Sequence, residues 1–317
     1  MPISKTKVAV IGNGFVGASA AYAMAIKGLA AEMVLIDVNK EKSYGEALDI
    51  NHGISLLSGM KIYSGDYSDC KDCDVIVITA GVNRKPGETR LDLAKKNASI
   101  MKDITSSVMK YYTKGIVLIV SNPVDVLTYK FQEWSGLPAK KVIGSGTLLD
   151  TSRFKFHLGE KLGVDANDVN AYIIGEHGDS QIPLWSHATI GGMKLDDYCS
   201  LYNIPMGEEE KKAIAEEVKQ AGATVIKSKG ATYYAIALSI NKIVEAVLKD
   251  QNAVLPLGNV IKEGPYGLKN VALSMPSIIN SEGIERMIEL KLNDEEIKLL
   301  NNSAQQISNI LKELENI

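Results

Sequence analysis

Short runs of β-branched residues alternate with longer helical segments through the first half of the chain, and this alternation limits the possible folds most strongly. The strand-like runs lie at 7–11, 33–36, 75–80, 116–120 and 141–143, and the helical segments at 16–27, 40–52, 91–110 and 124–134. Apolar strands separated by helices are typical of a parallel sheet covered on both faces. Because crossover connections are right-handed, the pattern predicts a doubly wound α/β sheet.

The alternation weakens after about residue 146. The second half combines long helical patterns with short strand-like pieces at 171–174 and 270–275, which predict an α+β domain. We therefore expect two domains, 1–145 and 146–317. No repeat or linker composition separates them, so we expect the two to pack as one unit.

The last helix is predicted in detail. Asn293 and Glu296 have the spacing of a capping box at its first residue. Apolar positions then recur every three or four residues and predict one buried stripe. They are Ile297, Leu300, Ala304, Ile307, Leu311 and Leu314.

The segment "VIGNGFVG" follows the first predicted strand and places glycines in G-x-G-x-x-G register. Gly12 permits a tight turn, Gly14 lets a pyrophosphate approach the backbone, and Gly17 lets a helix pack against the strand. Asp37 ends the next strand, where its carboxylate would bind the ribose hydroxyls and repel a 2′-phosphate. This combination predicts a site for NAD rather than NADP.

Composition excludes several other classes of protein. The chain has 317 residues and a net charge of −3, which gives it no general attraction to nucleic acid or anionic membranes. No apolar run approaches the roughly 18–20 residues needed to span a bilayer. The three cysteines favour a reducing compartment, and we expect the C-x-x-C pair, Cys70 and Cys73, to be ordinary buried thiols. We expect a cytoplasmic protein.

Three residues of the second half are candidates for chemistry. His177 lies between glycines in "GEHGDS" after a strand-like run. Asp150 and Arg153 are three residues apart on one face of a predicted helix, where their side chains are neighbours. The four histidines form no H-E-x-x-H pair, so we expect no metal site.

Six segments together resemble the L-lactate/malate dehydrogenase family and span nearly the whole chain: the glycine loop, Asp37, "KPGETRLDL", "SNPVD", "LLDTSRF" and "GEHGDS". The resemblance implies a Rossmann domain followed by an α+β substrate domain. It also implies NAD as cofactor, a small 2-keto or 2-hydroxy acid as substrate, and a homo-oligomer, either a tetramer or a dimer.

The resemblance also implies roles for single residues. His177 would exchange a proton with the substrate oxygen, Asp150 would orient its ring, and Arg153 would bind the substrate carboxylate. Arg90 would close over the substrate on a mobile loop, while Asn122 and Thr232 would line its pocket. The residues expected to contact the cofactor are Gly12, Gly14, Phe15, Val16, Gly17, Asp37, Ala80, Gly81, Asn97, Val120 and Asn122.

Arg84 makes the substrate ambiguous. It precedes "KPG" at the position where lactate-type members resemble "QKPGETR" and malate-type members carry arginine. An unpaired buried charge costs about 3–5 kcal/mol, so Arg84 favours oxaloacetate, whose second carboxylate would pair with it. Glu176 and the segment "KGATYY" resemble the lactate type instead. We expect malate to be preferred, with lactate as the alternative.

Two hypotheses that assign the chain to other classes of protein stay open. A catalytically silent NAD-binding protein would keep the glycine loop but would not need the group formed by His177, Asp150 and Arg153. A short-chain reductase would need a Tyr-x-x-x-Lys pair, and Tyr129 is followed four residues later by Glu133. Both readings are therefore less favoured.

Overall fold

The structure is a computed structural model that describes residues 5–83 and 87–315. The helices in these ranges are α1 Phe15–Lys27, α2 Lys40–His52, α3 Arg90–Met109, α4 Val124–Ser135, α5 Leu148–Leu162, α6 Leu195–Leu201, α7 Glu208–Lys229, α8 Tyr234–Leu248 and α9 Asp294–Glu313. The strands of the first half are β1 Lys7–Ile11, β2 Glu32–Ile36, β3 Lys61–Ser64, β4 Val75–Ile78, β5 Ile116–Ile119 and β6 Val142–Gly144. Those of the second half are β7 Val169–Asn170, β8 Ile173–Ile174, β9 Ile182–Pro183, β10 Thr189–Ile190, β11 Met193–Lys194, β12 Ala253–Glu263, β13 Lys269–Asn280 and β14 Gly283–Met287.

The first six strands form a parallel sheet in the order β3-β2-β1-β4-β5-β6. The order reverses between β1 and β4, and in open α/β sheets this switch point is where ligands bind. Gly12 follows β1 there and Ala80 lies just beyond β4. The predicted doubly wound Rossmann sheet is confirmed.

Antiparallel strands of the second half extend the same sheet. β12 pairs with β6 through Gly258 and Gly144, and β13 and β14 follow in turn. A Cβ on Gly258 would lie 3.0 Å from the Cα of Gly144, so the close approach of the two strands requires glycine. The strands β12 to β14 and the helices α5 to α9 confirm the α+β character predicted for the second half. The boundary between residues 145 and 146 stays a prediction.

Alternate residues of the parallel strands pack into two hydrophobic layers, as the period of two requires. Val8 and Val10 of β1 point into the layer that includes α1 and α8, whereas Ala9 and Ile11 point into the layer that includes α3, α4 and α9. Helix α8 therefore comes from the second half but covers the sheet of the first. No helix of the described residues is long and apolar enough to cross a membrane.

In the first half, the observed elements differ little from the predicted ones. The strand predicted at 75–80 ends at Ile78, because the N–H groups of Thr79 and Ala80 both turn to the carbonyl of Ile11. The edge strand β3 was not predicted, because its sequence KIYS is short and half polar. The capping box of α9 is present and its predicted apolar stripe is buried, except for half-buried Ile297.

Candidate active site

His177 and Asp150 form the centre of the site. The Nδ1 atom of His177 lies 2.5 Å from Oδ2 of Asp150, and the Asp150 side chain is 3% exposed whereas that of His177 is 26% exposed. The Asp150 carboxylate raises the pKa of His177 to about 9 against the opposing effect of burial. Burial opposes the charged form of Asp150, but His177 and Arg153 still hold its pKa below the usual range. The pair is therefore an imidazolium and a carboxylate at neutral pH.

Arg153 binds the other oxygen of the same carboxylate. Its Nη1 donates to Oδ1 of Asp150 at 3.1 Å, which confirms that the two residues share a face of α5. A Cβ added to Gly222 of α7 would lie 3.7 Å from Nη2 of Arg153, so the small residue leaves room beside the guanidinium. With five N–H donors, Arg153 has others left for an anion.

Thr147, which precedes α5, and Thr151 of its first turn fix the strand that leads to His177. The Thr151 hydroxyl accepts from the N–H of Ile173 at 2.9 Å, and the Thr147 hydroxyl donates to the carbonyl of Ile173 at 2.5 Å. Gly175 then pairs with Ser274 of β13 through two backbone hydrogen bonds of 2.9 Å. The contacts between α5 and β8 thus fix the positions of both Asp150 and His177.

The loop that carries His177 is also bonded to α9. The Ser303 hydroxyl accepts from the N–H of Glu176 at 2.8 Å, and its oxygen lies 3.0 Å from the hydroxyl oxygen of Ser180. Ser180 donates its proton to the carboxylate of Glu176. Ser303 is fully buried, and sequence reasoning missed it because a serine within an amphipathic helix gives no functional signal.

A second carboxylate contacts the loop from α4. Oδ2 of Asp125 accepts the backbone N–H of His177 at 2.7 Å, and Asp125 is 3% exposed. Burial raises the pKa of this carboxyl group to about 7. Sequence reasoning also missed Asp125, although it belongs to the segment "SNPVD".

Arg90 is the first residue of α3 and forms an ion pair with Asp179, two residues after His177. Both side chains are more than half exposed. With Glu176, Ser180 and part of α9 they line a cavity of about 510 Å³. Arg90 was predicted to lie on a loop, but it begins α3, and its guanidinium lies beside the loop of His177. Arg84 lies outside the described residues.

The glycine loop fits a bound dinucleotide. Gly12 has φ +94°, and a Cβ on it would lie 2.5 Å from the N atom of Ala80, while a Cβ on Gly17 would lie 1.9 Å from the carbonyl oxygen of Gly12. The space beside Gly14 is open, and α1 starts there without a side-chain cap or an acidic first turn. Free N–H groups at a helix N-terminus bind phosphate. Phe15 and Val16 form the first residues of α1, and Phe15 is exposed.

Asp37 is held at the end of β2 beside this loop. Its carboxylate accepts from the N–H of Asn13 at 2.6 Å and from the N–H of Asn39 at 2.9 Å. A carboxylate fixed in this way can accept hydrogen bonds from ribose hydroxyls. The residues present therefore fit NAD.

The remaining cofactor candidates lie around the ends of β4 and β5. Asn122 is exposed, and the Asn122–Pro123 peptide bond is cis. Asn97 is buried, and its amide bonds the backbone of Val82 and the carbonyl of Asn122. Asn97 thus holds these two segments together. Ala80 and Gly81 are at least partly exposed, whereas Val120 is 8% exposed.

Thr232 and the cysteines are the remaining residues that the sequence singled out. Thr232 is half-buried between α7 and α8. Cys70 and Cys73 are fully buried and free, and burial raises the pKa of both thiols to about 12, so they are ordinary thiols as predicted. Within 5–83 and 87–315, no three His, Cys, Asp or Glu residues are grouped as they would be around a metal ion.

The chain matches two family models over nearly its whole length. Residues 6–144 match the NAD binding domain of lactate/malate dehydrogenases, and residues 147–317 match their alpha/beta C-terminal domain. L-lactate dehydrogenase of Acetivibrio thermocellus is 47% identical over 309 residues, which is 98% of this chain and 97% of the relative. That of Priestia megaterium is 48% identical over 298 residues, 94% of this chain and 93% of the relative.

Solved structures show the same similarity. The minor L-lactate dehydrogenase of Enterococcus mundtii, in a ligand-bound form, superposes with a TM-score of 0.95 at 42% identity and 99% coverage of both chains. The L-lactate dehydrogenase of Clostridium thermocellum superposes with a TM-score of 0.87 at 55% identity, over 98% of this chain and all of that one. The chain therefore belongs to the lactate/malate dehydrogenase family and is an NAD-dependent 2-hydroxyacid dehydrogenase.

Proposed function

We propose that the protein is an L-lactate dehydrogenase, which interconverts L-lactate and pyruvate. The observation that carries this proposal is the shared name of relatives 46–48% identical over nearly the whole chain, all of them L-lactate dehydrogenases. The preference for malate that Arg84 led us to expect has no support from these relatives. Lactate, our alternative substrate, agrees with them.

In the proposed reaction His177 handles the proton. Bound NADH supplies the hydride that reduces the keto carbon. The imidazolium of His177 gives its Nε2 proton to the substrate oxygen, because Nδ1 is already bonded to Asp150. The Asp150 carboxylate fixes the ring and stabilises its charged form. In the reverse direction neutral His177 takes the proton from the hydroxyl group.

The arginines bind and orient the acid. Arg153 binds the substrate carboxylate, and its bond to Asp150 keeps the guanidinium near His177. Arg90, at the start of α3, exchanges its ion pair with Asp179 for the substrate oxygen, which places a cation where negative charge develops. Asn122 and Thr232 line the pocket. The cofactor residues named above hold NAD.

Malate is the second candidate substrate, and Arg84 is the specific observation that favours it. The test compares kcat/KM for pyruvate and oxaloacetate with NADH, in the wild type and in Arg84→Gln. We expect the wild type to prefer pyruvate. Lys85→Gln is the matched control, since it removes the neighbouring cation.

The lactate and malate hypotheses predict opposite results in this test. A preference of the wild type for oxaloacetate by about tenfold or more, reversed in Arg84→Gln and retained in Lys85→Gln, would establish malate and contradict our proposal. Tenfold corresponds to about 1.4 kcal/mol, less than the cost of leaving Arg84 unpaired in a closed pocket.

We further propose that the protein is a cytoplasmic homo-oligomer, either a tetramer or a dimer. Exposed apolar side chains on α1, α2 and α8 support self-association, because a monomer would leave them in water. They include Tyr22, Ile26, Tyr44 and Leu238. Sedimentation equilibrium measures the assembly directly, and a monomer at micromolar concentration would contradict it.

A further inference from the structure

Asp125 is a buried charge-bearing group that the reaction described above does not use. It lies in the first turn of α4, 52 residues before His177 in the chain. Its Oδ2 accepts the N–H of His177, whereas its Oδ1 has no hydrogen-bond partner among the described residues. A buried carboxylate oxygen without a partner is costly, and a single neutral acceptor such as a hydroxyl would avoid this cost in a purely structural anchor.

The charged groups around Asp125 affect whether its carboxyl group is ionised. Among the described residues, it is faced by His177 and Glu176 from the loop and by Asp150 from α5. Burial raises the pKa of Asp125, and the two neighbouring carboxylates raise it further, while His177 lowers it. The positive end of α4 also favours the ionised form. His177 in turn faces Asp150, Asp125 and Arg153.

We propose that Asp125 is a positioning residue for the dehydrogenase reaction. It anchors the backbone of His177, and its carboxylate stabilises the protonated imidazole. The proposal rests on the role of His177 in the proposed function. Asp125 links the nucleotide-binding half of the chain to the acid–base group. Its helix, α4, begins directly after the Asn122–Pro123 bond, next to the cofactor site.

The sign of the effect follows from the charges. A negative Asp125 stabilises the imidazolium and so raises the pKa of His177. Asp125→Asn keeps an oxygen that accepts the N–H but removes the charge. The pKa of His177 then falls, and the alkaline limit of keto acid reduction moves to lower pH.

Proton NMR of the imidazole Cε1–H measures this shift without relying on activity. The chain has four histidines, and His177→Asn identifies the resonance of interest. In Asp125→Asn we expect the titration midpoint of His177 to fall by about 0.5–1 pH unit, and the alkaline limit of the kcat/KM profile to fall with it. Asp125→Glu, which restores the charge, returns both toward the wild-type values.

Ser303→Ala is the matched control, since it removes a neutral anchor of the same loop. It lowers kcat at every pH and leaves both midpoints in place. If Asp125→Asn behaves in the same way, with lower kcat and no shift, Asp125 is only a structural anchor and the proposal is overturned. Asp125→Ser is a second neutral variant that keeps an acceptor oxygen and gives the same test if the asparagine variant does not fold.

The failure of the proposed function gives a different result. If His177→Asn keeps the activity of the wild type, His177 is not the acid–base group, whatever the NMR midpoints show. The NMR shift between the wild type and Asp125→Asn still decides whether Asp125 controls the protonation of His177.

Discussion

Asp150 determines the charge of the site through two contacts made by one carboxylate. Its oxygens bind His177 and Arg153 separately, so the ring and the guanidinium are held in a fixed relation. The directions of the two pKa shifts agree, since the pKa of Asp150 is lowered and that of His177 is raised to about 9. Reduction needs the imidazolium, so it is supported below about pH 9 and is lost above it. Oxidation needs neutral His177 and rises through the same range.

Asp150→Asn removes the charge and keeps the shape of the side chain. We expect kcat/KM for pyruvate reduction at pH 7.5 to fall about 100-fold or more, because most of the ring loses its proton and its orientation. The alkaline limit of the profile moves from about pH 9 toward the ordinary histidine value near 6.5. Steady-state rates between pH 5.5 and 10 measure both effects. A lower rate with an unmoved limit would contradict the electrostatic role of Asp150.

At the scale of elements, the start of α3 determines where Arg90 lies. Thr89 caps this helix and forms a capping box with Asp92, so the first turn is fixed at the residue that carries the guanidinium. The same motif, built from Asn293 and Glu296, caps α9. Helices α3 and α9 thus have equivalent caps, and the cap of α3 precedes Arg90.

Thr89→Ala removes the side-chain cap of α3. The loss of a cap costs about 1 kcal/mol, and fraying of the first turn moves Arg90. We expect kcat/KM for pyruvate to fall about three- to tenfold, with no change in the Kd of NADH, measured by fluorescence titration. Asn293→Ala is the control, because it removes an equivalent cap and should lower the free energy of unfolding by a similar amount while leaving kcat/KM unchanged. Equal kinetic losses in both variants would show that the effect is only one of stability.

At the scale of the whole molecule, local sequence signals predicted the helices, strands and motifs. They could not predict the tertiary contacts between them. The glycine loop, the parallel strands and the i, i+3 pair on α5 follow from short-range periodicity and motifs, and the structure contains them. The contacts of Asp125 and Ser303 with the loop of His177 span 52 and 127 residues of sequence. Each of these residues has an ordinary local explanation, as a helix first-turn acid and as a buried serine. Only tertiary packing assigns them to the site.

The junction of Gly144 and Gly258 joins the two halves of the sheet, and it gives a prediction for the whole fold. A Cβ on Gly258 would lie 3.0 Å from Cα and 3.3 Å from N of Gly144, so Gly258→Ala forces two backbones apart. Overpacking of this kind costs about 1–3 kcal/mol, which lowers Tm by about 2–6 °C. Because β6 leads directly into α5 with Asp150, we expect kcat to fall while the Kd of NADH stays unchanged.

Gly45→Ala is the control for this substitution. Gly45 lies within α2 with no atom within 4 Å of an added Cβ, so alanine there stabilises the helix by about 0.5–1 kcal/mol. Differential scanning calorimetry should therefore show opposite shifts of Tm in the two variants. If Tm and kcat of Gly258→Ala stay at the wild-type values, the two strands tolerate a wider spacing, and the junction does not hold the acid–base group in place.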